Sequence, residues 1–144
     1  MHHDEPNLIQ FATASLACHR DTEPPGGQPL TREELDALHE HVVALHQLVD
    51  QATVRIRAQA PAEGDHLHNA RIRLWQGVEH LHAAYHAAPR ADGRMPTREA
   101  CALRLPEGAP ELTVCQRHLR ASTRVRQFTT PTDLHTSATG MIRR

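Results

Sequence analysis

The sequence predicts an all-α protein, a small helical bundle centred on an antiparallel two-helix hairpin. Two consecutive stretches carry apolar residues at spacings of three and four, which is the helical period. Only a few residues containing Pro and Gly separate the two stretches. With one Trp, one Tyr and two Phe in 144 residues, the core must be built mainly from Leu, Val, Ile and Ala. Such a core suits helix packing better than a β-sandwich.

The first helix of the hairpin is predicted over residues 31–60. The run Thr31-Arg32-Glu33-Glu34 matches a capping box, in which Thr31 accepts from a first-turn amide and Glu34 reaches back to the cap. Behind this cap, apolar residues alternate spacings of three and four over three heptads. They are Leu35, Leu38, Val42, Leu45, Val49, Ala52 and Ile56. Pro61 and Gly64 are expected to end the helix.

The second helix is predicted over residues 65–88. Its apolar stripe consists of Leu67, Leu74, Val78, Leu81, Tyr85 and Ala88, with Arg71 as the one interruption. A connection of a few residues makes two such helices antiparallel neighbours. The two stripes are therefore expected to face each other and to form the core.

Flanking helices are predicted on both sides of the hairpin, over residues 6–20, 97–105 and 110–128. Pro6 and Pro110 each suit the first turn of the helix that they begin. Residues 129–144 show no apolar period and are predicted to form a disordered tail.

Charge divides the chain into an acidic and a basic part. Residues 1–89 contain six Arg and twelve acidic residues, whereas residues 90–144 contain ten Arg and five acidic residues. The formal net charge of −1 excludes a strong field around the whole molecule. We therefore predict an acidic helical-hairpin core over 1–89 and a basic helical part over 90–128 that packs on it.

Thirteen histidines suggest a metal site on one side of the hairpin. In the heptad frame, His39 and His46 fall at e on the first helix, and His82 falls at e on the second. In an antiparallel pair e faces e, and a turn near 61–64 places His46 opposite position 80. His46, Glu79 and His82 are then the candidate ligands for Zn²⁺ or Fe²⁺. The favoured alternative is that these histidines are polar residues beside the seam, paired with acids or with solvent.

The cysteines offer one further ligand pair, Cys115-x-x-His118, without a second pair of known proximity. Cys18, Cys101 and Cys115 form no C-x-x-C motif, so reduced thiols in a cytoplasmic protein are expected. No pattern places a thiol beside a base, and no phosphate loop, G-x-S-x-G or H-E-x-x-H occurs, so the sequence predicts no enzyme. No segment resembles a signal peptide or a membrane span.

Part of the basic half resembles a helix-turn-helix unit. The runs Thr97-Arg98-Glu99-Ala100 and Thr113-Val114, followed by His118-Leu119-Arg120, are similar to the patterns of such units. The resemblance implies a DNA-binding regulator in which Arg117, Arg120, Arg124 and Arg126 supply phosphate and base contacts, with the first three as the candidate site residues. The turn over residues 106–110 departs from the motif, since it is longer and contains an acid. A solvated arginine-rich helix face is the alternative interpretation.

As a whole, the chain resembles the small Arg- and Ala-rich helical accessory proteins of GC-rich actinomycete genomes and their conjugative plasmids. The likeness rests on the absence of lysine and on the stripe over Thr31–Ile56, followed by Ala70-Arg71-Ile72-Arg73-Leu74-Trp75. It implies a setting in plasmid spread or transfer. The leading prediction is therefore a non-enzymatic interaction protein, working through a protein partner or through self-association of its helices. A DNA-binding regulator and a histidine-rich metal-binding bundle are the alternatives.

Overall fold

The protein is an all-α bundle in the computed structural model, which describes residues 7–23, 26–89 and 114–135. The helices are α1 (Leu8–Asp21), α2 (Arg32–Arg57), α3 (Pro61–Ala87), α4 (Val114–Phe128) and α5 (Pro131–His135). No strand occurs within these ranges. The predicted helix over 97–105 and the turn after it lie outside the described residues. None of the described helices is long and apolar enough to cross a membrane.

Helix α1 forms a compact unit separate from the one that contains α2 to α5. The side chain of Asn7 caps it, accepting from the backbone N–H of Gln10 at 2.8 Å. The Gln10 side chain accepts in return from the backbone N–H of Asn7 at 3.2 Å. The predicted helix over 6–20 is thus present, and this capping box fixes its first residue.

Helices α2 and α3 form the predicted antiparallel hairpin. Thr31 caps α2 as expected, with its hydroxyl 3.1 Å from the backbone nitrogen of Glu34. At one end of the pair, Arg57 lies 3.5 Å from Asp65. At the other end, the guanidinium of Arg32 donates to the carbonyl of Tyr85 at 3.2 Å. Contacts at both ends, between the start of one helix and the end of the other, establish the antiparallel arrangement.

The connection between the two helices is shorter than the sequence suggested. Helix α3 begins at Pro61, which takes the first helical position, where its missing N–H is not needed. Gly64 lies in the first turn of α3 instead of breaking the chain. A Cβ at Gly64 would lie 2.6 Å from the Cα of Arg57, so glycine allows the two helices to approach at this point.

The most buried positions are not the predicted leucine stripes. Of the stripe on α2 only Leu35 is buried, and of the stripe on α3 only Val78 is. Leu38 is 41% exposed, and Leu45 and Leu81 are half-buried. The histidine side is buried instead, through His39, Val43, His46, Asp50 and Thr53 on α2 and Arg71, Ile72, Trp75, His82 and His86 on α3.

A third helix explains this shift of the core. Helix α4 packs against both α2 and α3, and the buried residues of α4 are Val114, Cys115, His118, Ala121 and Val125. In a two-helix hairpin alone, the most buried residues lie between the two helices. When a third helix packs against both, the most buried residues are those that lie where all three helices meet. An apolar cluster of Val43, Trp75, Val78, Ala121 and Val125 lies there. The polar side chains described below extend along the same line.

The short helix α5 lies in the segment for which the sequence showed no helical period. Thr130 caps it, with its hydroxyl 3.3 Å from the backbone nitrogen of Asp133 and its own nitrogen 2.9 Å from the Asp133 carboxylate. Five residues are too few to show an apolar period, so only the Thr130–Asp133 pair signals this helix. Residues 136–144 of the predicted tail lie outside the described residues.

Candidate metal centre

Two histidines and one cysteine meet where α3 and α4 pack. His82 and His86 are four residues apart on α3, a spacing that places both imidazoles on one face of the helix. Cys115 lies at the start of the described part of α4. The Nε2 atoms of His82 and His86 are 2.9 Å apart, and the Cys115 Sγ lies 3.4 Å from each. Within the described ranges, this is the one group of three or more His, Cys, Asp or Glu residues whose ligand atoms converge.

The triangle of these three atoms has nearly the size of one face of a zinc tetrahedron. With Zn–N near 2.0–2.1 Å and Zn–S near 2.3 Å, tetrahedral angles separate two nitrogens by about 3.3 Å and a sulfur from a nitrogen by about 3.6 Å. The observed separations are 2.9 and 3.4 Å. Side-chain adjustments of a few tenths of an ångström would therefore be enough to admit the ion. All three residues are at most 9% exposed.

The ring of His118 stacks on His82, with centroids 4.0 Å apart and an interplanar angle of 16°. The ring of His39 is tilted relative to His82, at a centroid distance of 5.9 Å and an interplanar angle of 50°. His39 is fully buried and His118 is 9% exposed. The His82 imidazole is therefore surrounded by other buried imidazole rings.

A chain of hydrogen bonds passes through these rings and sets their tautomers. The guanidinium of Arg117 can only donate, so the His39 Nδ1 at 3.2 Å must accept. The His39 proton is then on Nε2, which donates to the Nδ1 of His118 at 3.0 Å. The His118 proton is therefore on its own Nε2, 3.4 Å from the carboxylate of Glu79. Glu79 is 48% exposed, so the chain leads from the buried rings to solvent.

The protonation equilibria of this chain follow from burial and charge. Burial is the main cause that lowers the pKa of His39 from 6.5 to about 4, with smaller contributions from the neighbouring His118 and Arg117 and an opposing one from Asp36. The hydrogen bond from His118 lowers the pKa of Glu79, against the opposing effect of burial. His39 is thus neutral and Glu79 is charged at neutral pH.

A second polar cluster lies further along the three-helix line. The carboxylate of Asp50 on α2 accepts from Arg71 on α3 at 2.5 Å and from Arg124 on α4 at 2.9 Å. Burial raises the pKa of Asp50, but the hydrogen bonds from Arg124 and Arg71 outweigh it, and the net shift is downward. The Arg71 guanidinium also lies 3.7 Å from the ring centre of Phe128. One carboxylate therefore links all three helices.

A model described as a family of unknown function, DUF6238, matches residues 1–144. The chain belongs to this family. Comparisons with curated proteins and with solved structures gave no match.

In this DUF6238 protein the predicted ligand set does not come together. His82 belongs to the convergent group, but His46 and Glu79 do not. The ring of His46 lies against Trp75 and Phe128, at centroid distances of 5.8 and 6.1 Å. The carboxylate of Glu79 lies beside His118 instead.

The reason for this difference is that the connection between α2 and α3 lies earlier in the chain than predicted. The residues that face each other are His39 with His82, His46 with Trp75 and Asp50 with Arg71. Because α3 begins at Pro61 and not near 65, His46 lies opposite position 75 rather than the expected position 80. The error exceeds one helical turn, which is enough to remove His46 from the site.

Two residues of the convergent group were missed, His86 and Cys115. The spacing of four between His82 and His86 was a usable signal, since two histidines at that spacing on a helix often share a metal. Cys115 was noted only as half of Cys115-x-x-His118, and its position depends on how α4 packs. The expectation that no thiol lies beside a base is also corrected, because the Cys115 Sγ is in contact with two imidazoles.

The arginines predicted to contact DNA lie on α4, and two of them are ion-paired within the chain. Arg117 lies 2.7 Å from Asp36 and 3.7 Å from Glu40, and Arg124 lies beside Asp50. Arg120 is exposed and makes no ion pair with any described residue. The acidic and basic parts of the sequence thus neutralise each other in part, through contacts between α2 and α4.

Proposed function

We propose that this protein binds a transition-metal ion, with Zn²⁺ as the best fit, through His82, His86 and Cys115. The observation that carries the proposal is the convergence of their ligand atoms to within 3.4 Å of one another. The three atoms come from two helices, and a bound ion would therefore link α3 to α4.

The chemistry of the donor atoms favours zinc. A thiolate and two neutral imidazoles are ligands of borderline softness, which suit Zn²⁺ better than Mg²⁺ or Ca²⁺. The sequence had suggested Zn²⁺ or Fe²⁺ on the basis of a carboxylate, Glu79. A thiolate in its place supports the zinc alternative. The thiolate also supplies the one negative charge in the set, which offsets part of the charge of the buried ion.

Burial of the thiol supports a ligand role over a nucleophilic one. Reactive cysteines are usually in contact with solvent and substrate, whereas Cys115 is only 8% exposed. Three protein ligands leave one tetrahedral position for water or another group, as in many catalytic zinc sites. The stacked His118 and its bond to Glu79 would then hold the His82 imidazole in its ligating orientation.

The proposal is tested with protein freed of metal by a chelator under reducing conditions. Titration with Co²⁺, a spectroscopic substitute for Zn²⁺, should give a thiolate-to-metal charge-transfer band. Addition of Zn²⁺ should displace the Co²⁺ and abolish this band. The expected stoichiometry is about one ion per chain, with a rise in thermal stability because the ion binds the folded state alone. Cys115→Ser should remove the charge-transfer band, and His86→Gln should weaken binding of both ions.

Matched controls are available in the chain. Cys18 is an exposed cysteine on α1, and His80 is an exposed histidine on α3 beside the site. Cys18→Ser and His80→Gln should bind Co²⁺ and Zn²⁺ as the wild type does. If Cys115→Ser kept the charge-transfer band, or if the wild type bound no metal at micromolar concentration, the proposal would be wrong.

The role in plasmid spread and the protein partner remain predictions that rest on the sequence resemblance. A metal-linked bundle is compatible with such an accessory role, because the ion would fix the helices whose outer faces meet a partner. A pull-down from native cells, with metal-loaded and metal-free protein as paired baits, tests both ideas together. A partner retained only by the loaded bait would support them.

A further inference from the structure

A cavity of about 210 Å³ lies between α2 and α4, outside the metal centre. Three arginines of α4 line it, Arg117, Arg120 and Arg124, together with His46, Gln47 and Asp50 of α2. The arginines are three and four residues apart and so share one face of α4. Three guanidinium groups around one cavity are an arrangement that suits an anionic ligand.

Two of these arginines are held in place, and the third is available. Asp36 binds Arg117 at 2.7 Å, and Asp50 binds Arg124 at 2.9 Å. These ion pairs reduce the number of rotamers of both side chains, which lowers the entropy cost of binding a ligand. Arg120 makes no ion pair with any described residue, so its charge is not offset there. Around the cavity, Arg117 and Arg124 are therefore held in position by ion pairs, whereas the charge of Arg120 is not offset by a described residue.

His46 gives an independent indication of a ligand. It lines the cavity and is 2% exposed. Its Nε2 atom is buried and has no hydrogen-bond partner among the described residues. Buried polar atoms without a partner are rare in folded proteins, and each one needs an explanation, such as a bound molecule. If its proton is on Nε2, a neutral His46 imidazole can donate to a ligand atom that reaches Nε2.

We infer that this cavity binds a phosphate group, with Arg120 as the main charged contact and His46 as a buried donor. Arginine donors match the oxygens of phosphate in bidentate geometry, and three of them can approach a tetrahedral ion from different sides. The volume is many times the roughly 10–15 Å³ of cavity space that one water needs, so a phosphate group fits. The group can belong to free phosphate, to a phosphomonoester or to a nucleic-acid backbone.

Binding is measured by calorimetry with inorganic phosphate added to the full chain in a chloride buffer. Arg120→Gln removes the uncompensated charge at an exposed position, so the fold should be retained. A charge-assisted hydrogen bond is typically strong enough that its loss weakens binding about 10-fold or more. Arg126→Gln is the matched control, because Arg126 is also exposed on α4 but does not line the cavity. It should change the affinity less than about 2-fold, by loss of general charge alone.

A second arm identifies the source of the phosphate group. A short DNA duplex replaces inorganic phosphate, and the salt dependence of binding is measured for the wild type and for Arg120→Gln. If the duplex binds and the variant lowers the salt slope by about one, a nucleic-acid backbone is the source. If only inorganic phosphate binds, the ligand is a small phosphate compound. Binding of neither, or equal losses in Arg120→Gln and Arg126→Gln, would overturn the inference.

Discussion

The fully buried His39 should make the fold sensitive to mild acid. Its pKa is about 4 in the folded state and 6.5 in the unfolded chain. Between these values the unfolded chain binds a proton that the folded state does not, so stability falls as pH decreases from about 6.5 towards 4. From pH 7.5 to pH 4.5 the loss attributable to His39 is about 2.5 kcal/mol, at 1.36 kcal/mol per pKa unit. That is a large fraction of the stability of a small domain.

The test compares the wild type with His39→Gln by urea denaturation at several pH values, with a chelator present so that no metal contributes. Glutamine does not titrate, and its amide can accept from Arg117 and donate to His118. The variant can be less stable at pH 7.5, but between pH 7.5 and 4.5 its free energy of unfolding should fall by about 2.5 kcal/mol less than that of the wild type. Equal pH dependence in the two proteins would refute the assignment of a low pKa to His39.

Three further substitutions test the packing described above, each by chemical denaturation. Gly64→Ala should destabilise the fold by about 1–3 kcal/mol, because the new Cβ would lie 2.6 Å from a backbone atom of Arg57; a neutral result would contradict the close approach. Gly77→Ala, at a helical site with nothing within 4 Å, should stabilise by about 0.5–1 kcal/mol, and a loss would show a hidden contact. Asp50→Asn should cost about 3–5 kcal/mol, since it leaves Arg71 buried without a counter-ion; a cost under about 1 kcal/mol would show that the cluster contributes little.

The hairpin could be predicted because its signals are local. The capping box at Thr31 and the helical period behind it need no knowledge of the rest of the chain, and the cap and the helix are both confirmed. Which face is buried is not a local property. The leucine stripes would be the core of an isolated hairpin. Because α4 packs on the other side of α2, His39, His46 and Thr53 are instead the least exposed residues of that helix.

The predicted ligand set and the convergent group of the structure share only His82, for two physical reasons. The histidine face directed the prediction to this side of the hairpin, and His82 is the one predicted ligand that lies in the convergent group. The alignment of α2 with α3 depends on where their connection lies in the chain. The observed alignment differs from the predicted one by about five residues, so His46 faces Trp75 instead of position 80. Cys115 could not be placed, because no pattern in the sequence states where a third helix will pack.

The position of the single tryptophan has a practical consequence. Trp75 is 2% exposed and stacks on His118 at a centroid distance of 4.8 Å, and His118 stacks in turn on His82. Indole emission responds to charge and polarity within a few ångströms, and no other tryptophan contributes a background. The native protein thus contains its own optical probe of the histidine cluster. Unlabelled samples can report ion binding, proton uptake and loss of packing from one fluorescence signal.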